Sequence, residues 1–114
     1  MADASPSGGG GLAAEFGPWW RFAWGVIQYE REGPGMYELA DEDKNVVCID
    51  GAADVKRHLT QYFLGHVKPC FKKNAQWYRV AYTGNYASQK VEALAEYIRI
   101  HGRSPLCNEA SAAE

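Results

Sequence analysis

The stretch that decides the fold runs from Gly35 to Leu59 and reads GMYELADEDKNVVCIDGAADVKRHL. Two runs in it are rich in residues that favour strands: Met36 to Leu39 and Val46 to Ile49. The polar cluster 41–45 between them is short enough to join two antiparallel strands. Beyond Gly51 the apolar residues change to a helical spacing. The stretch therefore predicts a β-hairpin followed by a helix.

The predicted helix has a clear start and a clear apolar stripe. Asp54 stands where a capping acid belongs, and Val55, Leu59, Tyr62 and Phe63 follow at i, i+4, i+7 and i+8. Such a stripe packs one side of the helix against a sheet.

The second half of the chain repeats this order of strand and helix. Residues 77–83 are rich in aromatic and β-branched side chains and predict a third strand. Its two faces are predicted to carry Trp77, Arg79 and Ala81 on one side and Tyr78, Val80 and Tyr82 on the other. Residues 87–101 predict a helix that ends at Gly102. The residues predicted to face its sheet are Val91, Leu94, Ala95 and Ile98. We therefore predict one α/β (α+β) domain over residues 33–108, with a small three-stranded, mostly antiparallel sheet flanked by helices.

An aromatic segment precedes this domain. Residues 13–32 predict a tryptophan-rich helical arm, because Pro18 suits a first helical turn and apolar residues occur on two sides of the helix. Such a helix contacts both its own sheet and a partner, and the residues predicted to bind a protein partner are Trp19, Trp20, Phe22 and Trp24. The alternative is that the tryptophans only fill a small core. We expect Trp20 and Trp24 to fill the core and at least one of Trp19 and Phe22 to contact the partner. Residues 1–12 and 109–114 are predicted to be tails.

The hairpin and helix together resemble the GIY-YIG nuclease family. Gly35-Met36-Tyr37 matches the first triplet of that family, and Cys48-Ile49-Asp50 falls where its Tyr-Ile-Gly triplet is expected. His58 occupies the position of the family's arginine. The side chain of Arg57, one residue earlier, points about 100° away from that of His58 around a helix. The resemblance covers roughly residues 35–108 and implies the fold of that family.

The resemblance also implies a phosphodiester-cleaving site. For an active enzyme, it assigns catalytic roles to Tyr37, His58 and Glu92. Glu92 is also the predicted ligand of Mg²⁺, with Glu96 as the alternative. Asn108 resembles the family's terminal asparagine.

Three replacements oppose this chemistry: cysteine for tyrosine, aspartate for glycine and histidine for arginine. We therefore expect a degenerate member without a cofactor, acting as a binding or accessory subunit. The alternatives are an active metal-dependent DNA endonuclease and a non-catalytic nucleic-acid-binding protein.

The charge distribution leaves the nucleic-acid alternative open. The formal net charge is −2, but residues 1–54 carry 3 basic and 10 acidic side chains, whereas residues 55–104 carry 9 basic and 2 acidic ones. The side chains predicted to contact a phosphate backbone are Lys68, Lys72, Lys73 and Arg79. The other interpretation is a molecule whose two oppositely charged faces partly neutralise each other.

The cysteines and the hydropathy bear on the compartment. Cys48, Cys70 and Cys107 are odd in number and widely spaced, which favours a reducing, cytoplasmic location. No apolar run is long enough to cross a membrane, so no membrane partner is expected. His66 and Cys70 form the one close ligand pair, which is too few for a structural zinc site.

Overall fold

The computed structural model describes residues 15–65 and 69–108. Its elements, in chain order, are β1 (Trp20–Arg21), α1 (Trp24–Ile27), β2 (Gly35–Ala40), β3 (Val46–Ala52), α2 (Val55–Phe63), α3 (Pro69–Asn74), β4 (Trp77–Tyr82) and α4 (Tyr86–His101). The predicted tails and Lys68 lie outside the described residues.

Within the described residues, an antiparallel sheet of four strands, in the order β1-β4-β2-β3, is the centre of the fold. The predicted hairpin is confirmed as β2 and β3, whose turn is closed by the Asp41 carboxylate accepting the backbone N–H groups of Asp43 and Asn45. The predicted strand over residues 77–83 is confirmed as β4. The prediction of three strands is wrong, because β1 pairs with the free edge of β4 and adds a fourth.

The predicted helical arm over residues 13–32 is also wrong for most of its described part. Trp20 and Arg21 form a strand opposite Tyr78 and Trp77, and the helix is the single turn of α1. Aromatic side chains favour extended backbone, and hydrogen bonds to β4 outweigh a weak helix that contains Gly25 and has no capping side chain.

The predicted α2 helix is confirmed. The Asp54 carboxylate accepts the backbone N–H of Arg57 at 3.2 Å and so caps the first turn. Val55, Leu59 and Tyr62 are buried against the sheet as the stripe predicts. His58 lies beside that stripe and is half-buried.

The α4 helix is confirmed, but its predicted contact face is wrong. Val91 and Ile98 are 66% and 42% exposed, although Leu94 does pack on the sheet. The helix contacts Met36, Ile49 and Ala81 through Tyr86, Ala93, Leu94 and Tyr97. Two large tyrosine rings bury more apolar surface than the alternative stripe of valine, alanine and isoleucine, so the helix is rotated towards them. Gly102, with φ of 78°, ends it as predicted.

The sheet has a core on each face. The larger core joins α1, α2 and α3 to one face, and its largest fully buried members include Tyr37, Tyr78, Phe71 and Ile27. The smaller core lies under α4. The alternation of β4 is as predicted, since Tyr78 and Val80 join the first core and Ala81 joins the second.

A C-terminal segment closes the outer edge of β3. Cys107 forms a disulfide with Cys70 of α3, so the three reduced thiols behind the cytoplasmic prediction are not observed. The Asn108 side chain accepts the backbone N–H of Ile49 at 2.9 Å and donates to the carbonyl of the same residue at 3.0 Å. One amide therefore supplies both hydrogen bonds that a further strand would make at this position.

No helix within residues 15–65 and 69–108 is both long and apolar enough to cross a bilayer.

Candidate functional site

The candidate site is a cluster of polar side chains between β2, β3 and α2, which we call the tyrosine–aspartate cluster. Its members are Tyr37, Asp50, His58, Tyr62 and Lys90. Antiparallel pairing sets Tyr37 directly opposite Asp50 on one face of the sheet. His58 and Tyr62 are four residues apart on α2 and so project from the same side of that helix.

Tyr37 is the buried end of the cluster. Its side chain is 0% exposed, and its hydroxyl lies 3.2 Å from Nδ1 of His58. Its ring meets that of Tyr62 edge-on, with centroids 5.8 Å apart. Burial, followed by the nearby charge of Asp50, raises the pKa of Tyr37 well above its ordinary value. The phenol is therefore held protonated and out of contact with water, which is the opposite of what a nucleophile needs.

Asp50 is the charged end of the cluster. Its carboxylate accepts the Tyr62 hydroxyl at 2.7 Å, the backbone N–H of Gly51 at 2.8 Å and the ammonium of Lys90 at 2.8 Å. Burial is the largest influence and raises the pKa of Asp50, but the hydrogen bonds from Lys90, Tyr62 and Gly51 together hold that pKa below its ordinary value. Asp50 is thus an ionised group that ties α2 and α4 to the edge strand.

Two of the three predicted catalytic residues meet in the structure. Tyr37 and His58 are in contact, but Glu92 is exposed on α4. Glu92 follows Lys90 by two residues, which is about 200° around the helix, so it points away from the cluster that Lys90 reaches. Glu96, the alternative, is exposed and paired with Arg99.

The described residues do not fit the metal that the resemblance implies. Within residues 15–65 and 69–108, no three histidine, cysteine, aspartate or glutamate side chains come together as a metal site. The carboxylate beside Tyr37 is that of Asp50, and Lys90 already neutralises it. A divalent cation would have to displace this ammonium group. Cys70, moreover, is in a disulfide and is not a zinc ligand.

Sequence reasoning missed two members of the cluster and misjudged a third. The apolar stripe predicted for α2 includes Tyr62 but gives no sign of its hydrogen bond, and Lys90 lies outside the apolar face predicted for α4. Asp50 was recognised only as a negative charge that repels phosphate. An acid at an edge strand and a lysine on a later helix carry no local signal of contact, because 40 residues separate them.

Two of the four residues predicted to bind nucleic acid, Lys73 and Arg79, have side chains in the described part of the chain. Lys68 lies outside the described residues, as does the Lys72 side chain. Lys73 is exposed. The Arg79 guanidinium is 2.8 Å from the buried Glu38 carboxylate and lies over the Trp19 ring. Burial raises the pKa of Glu38 despite the opposing effect of Arg79. The Arg79 side chain is 32% exposed, so this ion pair lies at the edge of the fold.

The four aromatic residues predicted to bind a partner separate into two pairs. Trp19 covers Arg79, and Phe22 packs edge-on against Phe63 and Tyr78, so both contribute to the fold. Trp20 and Trp24 are 49% and 45% exposed. This is the reverse of the expected division, in which Trp19 or Phe22 was to face the partner and the other two were to fill the core.

Comparison with protein-family models, with curated proteins and with solved structures gives no match. The resemblance to GIY-YIG nucleases therefore stays a prediction from the short motifs around Tyr37 and His58.

Proposed function

We propose that this chain is a GIY-YIG-like domain without nuclease activity, which acts as a protein-binding accessory subunit. The observation that carries the first half of the proposal is the tyrosine–aspartate cluster. A nuclease site must present a nucleophile, a cation for the phosphate and a metal-binding carboxylate to the substrate. Here the tyrosine is buried, and the carboxylate and the cation, Asp50 and Lys90, bind each other.

The second half of the proposal is supported by exposed aromatic side chains. Trp20, Trp24 and Tyr29 are close in sequence around β1 and α1 and are all exposed, and we call them the aromatic surface. Tryptophan and tyrosine are enriched where proteins bind other proteins, because they bury a large area at a small cost in side-chain entropy.

A cleavage assay tests the loss of activity. The full chain is incubated with branched, nicked and single-stranded DNA and with RNA, in Mg²⁺ or Mn²⁺, beside the variant Glu92→Ala. We expect no cleavage by either protein above the background of buffer. Metal-dependent cleavage that Glu92→Ala abolishes would refute the proposal in favour of an active endonuclease.

An affinity capture tests the binding role. The chain, the double variant Trp20→Ala/Trp24→Ala and the control Val91→Ala are used as bait in native extract treated with nuclease. Val91 is exposed on α4, outside the aromatic surface, so its truncation removes apolar area elsewhere. We expect one specific protein to bind the wild type and the control but not the double variant. Equal capture by all three baits contradicts this role, and capture that depends on intact nucleic acid supports the nucleic-acid alternative instead.

A further inference from the structure

The aromatic surface contains an open cavity of about 420 Å³ beside β1 and α1. Its lining residues are Trp20, Gly25, Val26, Tyr29 and Glu30. A neighbouring cavity of about 300 Å³ shares Trp20 and Glu30 and adds Glu15. Trp20 therefore stands between two cavities, and Glu30 contributes an acid to both.

Glu30 is held in one orientation by two tyrosines from β4. The Tyr78 and Tyr82 hydroxyls each donate a hydrogen bond of 2.6 Å, one to each carboxylate oxygen. Burial, and then the hydrogen bond to Glu30, raise the pKa of both tyrosines, so both hydroxyls stay protonated as donors. Each oxygen of a carboxylate accepts more than one hydrogen bond, so Glu30 remains an acceptor whose position is fixed in advance.

Arg21 and Arg31, the basic residues nearby in sequence, already have partners. The Arg31 guanidinium lies 4.1 Å from the centre of the Tyr82 ring, and that of Arg21 stacks on Trp77 and pairs with Glu42. Of the described residues that line the two cavities, none is basic, and two are glutamates. The cavity thus combines aromatic walls with a negative charge and fits a cation supplied from outside.

Building on the protein-binding function proposed above, we propose that this cavity receives an arginine side chain of the partner. A guanidinium group is flat, stacks on aromatic rings and donates paired hydrogen bonds to a carboxylate. Trp20 and Tyr29 supply the rings, and Glu30 supplies the carboxylate. An exposed cation–π contact changes affinity by a factor of about 2 to 5 per ring.

The test titrates the full chain with a blocked tripeptide, acetyl-Gly-Arg-Gly-amide, followed by two-dimensional NMR and tryptophan fluorescence. The comparison peptides carry citrulline, which has the shape of arginine without its charge, or lysine. We expect saturable shifts with the arginine peptide and binding at least about fivefold weaker with citrulline, because the charge is lost next to Glu30. The proposal is overturned if the citrulline or the lysine peptide binds as tightly as the arginine peptide. It is also overturned if the arginine peptide causes no saturable shift.

Variants identify the site. Tyr29→Ala, at a residue 82% exposed, should leave folding intact and weaken arginine binding about 2- to 5-fold. Glu30→Gln should weaken it further, and Val91→Ala should leave it unchanged. Unaltered affinity in Tyr29→Ala places the arginine elsewhere and refutes the assignment. If the arginine peptide does not bind but the double variant Trp20→Ala/Trp24→Ala still loses the captured protein, the arginine site is refuted and the accessory role is retained. If the peptide binds but all three baits capture the same proteins equally, the accessory role is refuted instead.

Discussion

Replacement of Asp50 by asparagine tests the central claim about the tyrosine–aspartate cluster. Asparagine has nearly the same shape, and its amide can keep the neutral contacts, with its oxygen accepting the Gly51 N–H and its NH2 group donating to the Tyr62 hydroxyl oxygen. What disappears is the negative charge that Lys90 approaches at 2.8 Å. The variant therefore measures whether this ionised group stabilises the fold.

The size of the effect follows from the contacts that change. The Lys90 pair is partly exposed, with side-chain exposures of 36% for Lys90 and 18% for Asp50, so solvent screening limits it to about 1 kcal/mol. The hydrogen bond with Tyr62 loses its charged partner and becomes a bond between neutral groups, which costs about 0.5 to 1 kcal/mol. Together these losses lower the free energy of unfolding by about 1 to 2 kcal/mol, which in a domain of this size is a Tm lower by about 5 to 15 °C.

The effect must also depend on pH with a definite sign. Because the pKa of folded Asp50 lies below its ordinary value of 3.8, the unfolded chain takes up this proton first as the pH falls. The stabilisation is therefore fully present above that value and is lost as the pH drops through the lower pKa of the folded state. The difference between wild type and Asp50→Asn should be constant between about pH 5 and 7 and shrink below about pH 4.

The assay is urea unfolding followed by circular dichroism at several pH values. Asp43→Asn is the matched control, because Asp43 is exposed in the turn between β2 and β3 and should change stability little at any pH. A variant as stable as wild type at pH 7, or a difference that grows on acidification, would refute the interpretation of Asp50 as an ionised structural group.

Three further predictions concern the frame around the cluster. Asn108→Ala removes both amide hydrogen bonds from the edge of β3. The free energy of unfolding should fall by about 1 to 3 kcal/mol in the same urea assay. An unchanged free energy would mean that water replaces the amide fully. Replacing Cys70 and Cys107 by serine opens a bridge with a sequence separation of 37 and should cost about 3 to 4 kcal/mol, and dithiothreitol should destabilise the wild type but not this variant. Gly35→Ala places a methyl group 2.7 Å from a carbonyl oxygen of β4 and should lower Tm strongly, whereas Gly25→Ala, with nothing within 4 Å, should leave Tm unchanged or raise it.

The parts of the fold that sequence reasoning predicted are those specified by nearby residues. The β2–β3 hairpin has its own polar turn, and α2 has its own cap at Asp54, so both could be recognised without knowing what they pack against. The parts that it missed depend on distant partners. Trp20 belongs to a strand because β4, more than 50 residues later, offers a free edge.

The orientation of α4 and the contents of the site have the same explanation. Two apolar stripes exist on that helix, and only the shape of the sheet surface selects the one with Tyr86 and Tyr97. The meeting of Tyr37 with His58 was predictable from the motif spacing, but the Asp50–Lys90 pair follows from that rotation of α4 and was not.

The three residues that the resemblance leaves as functional candidates, Tyr37, Glu92 and Asn108, support the accessory role when their contacts are considered separately. Tyr37 is fully buried and is one of the largest side chains in the core. Asn108 closes the edge of β3 with its amide, a task that needs no substrate. Glu92, the one candidate whose family role is purely chemical, is exposed and lies about 200° around α4 from Lys90, the residue that reaches the cluster. Tyr37 and Asn108 thus have a structural use, and the function is better sought at the exposed tryptophans than at the tyrosine–aspartate cluster.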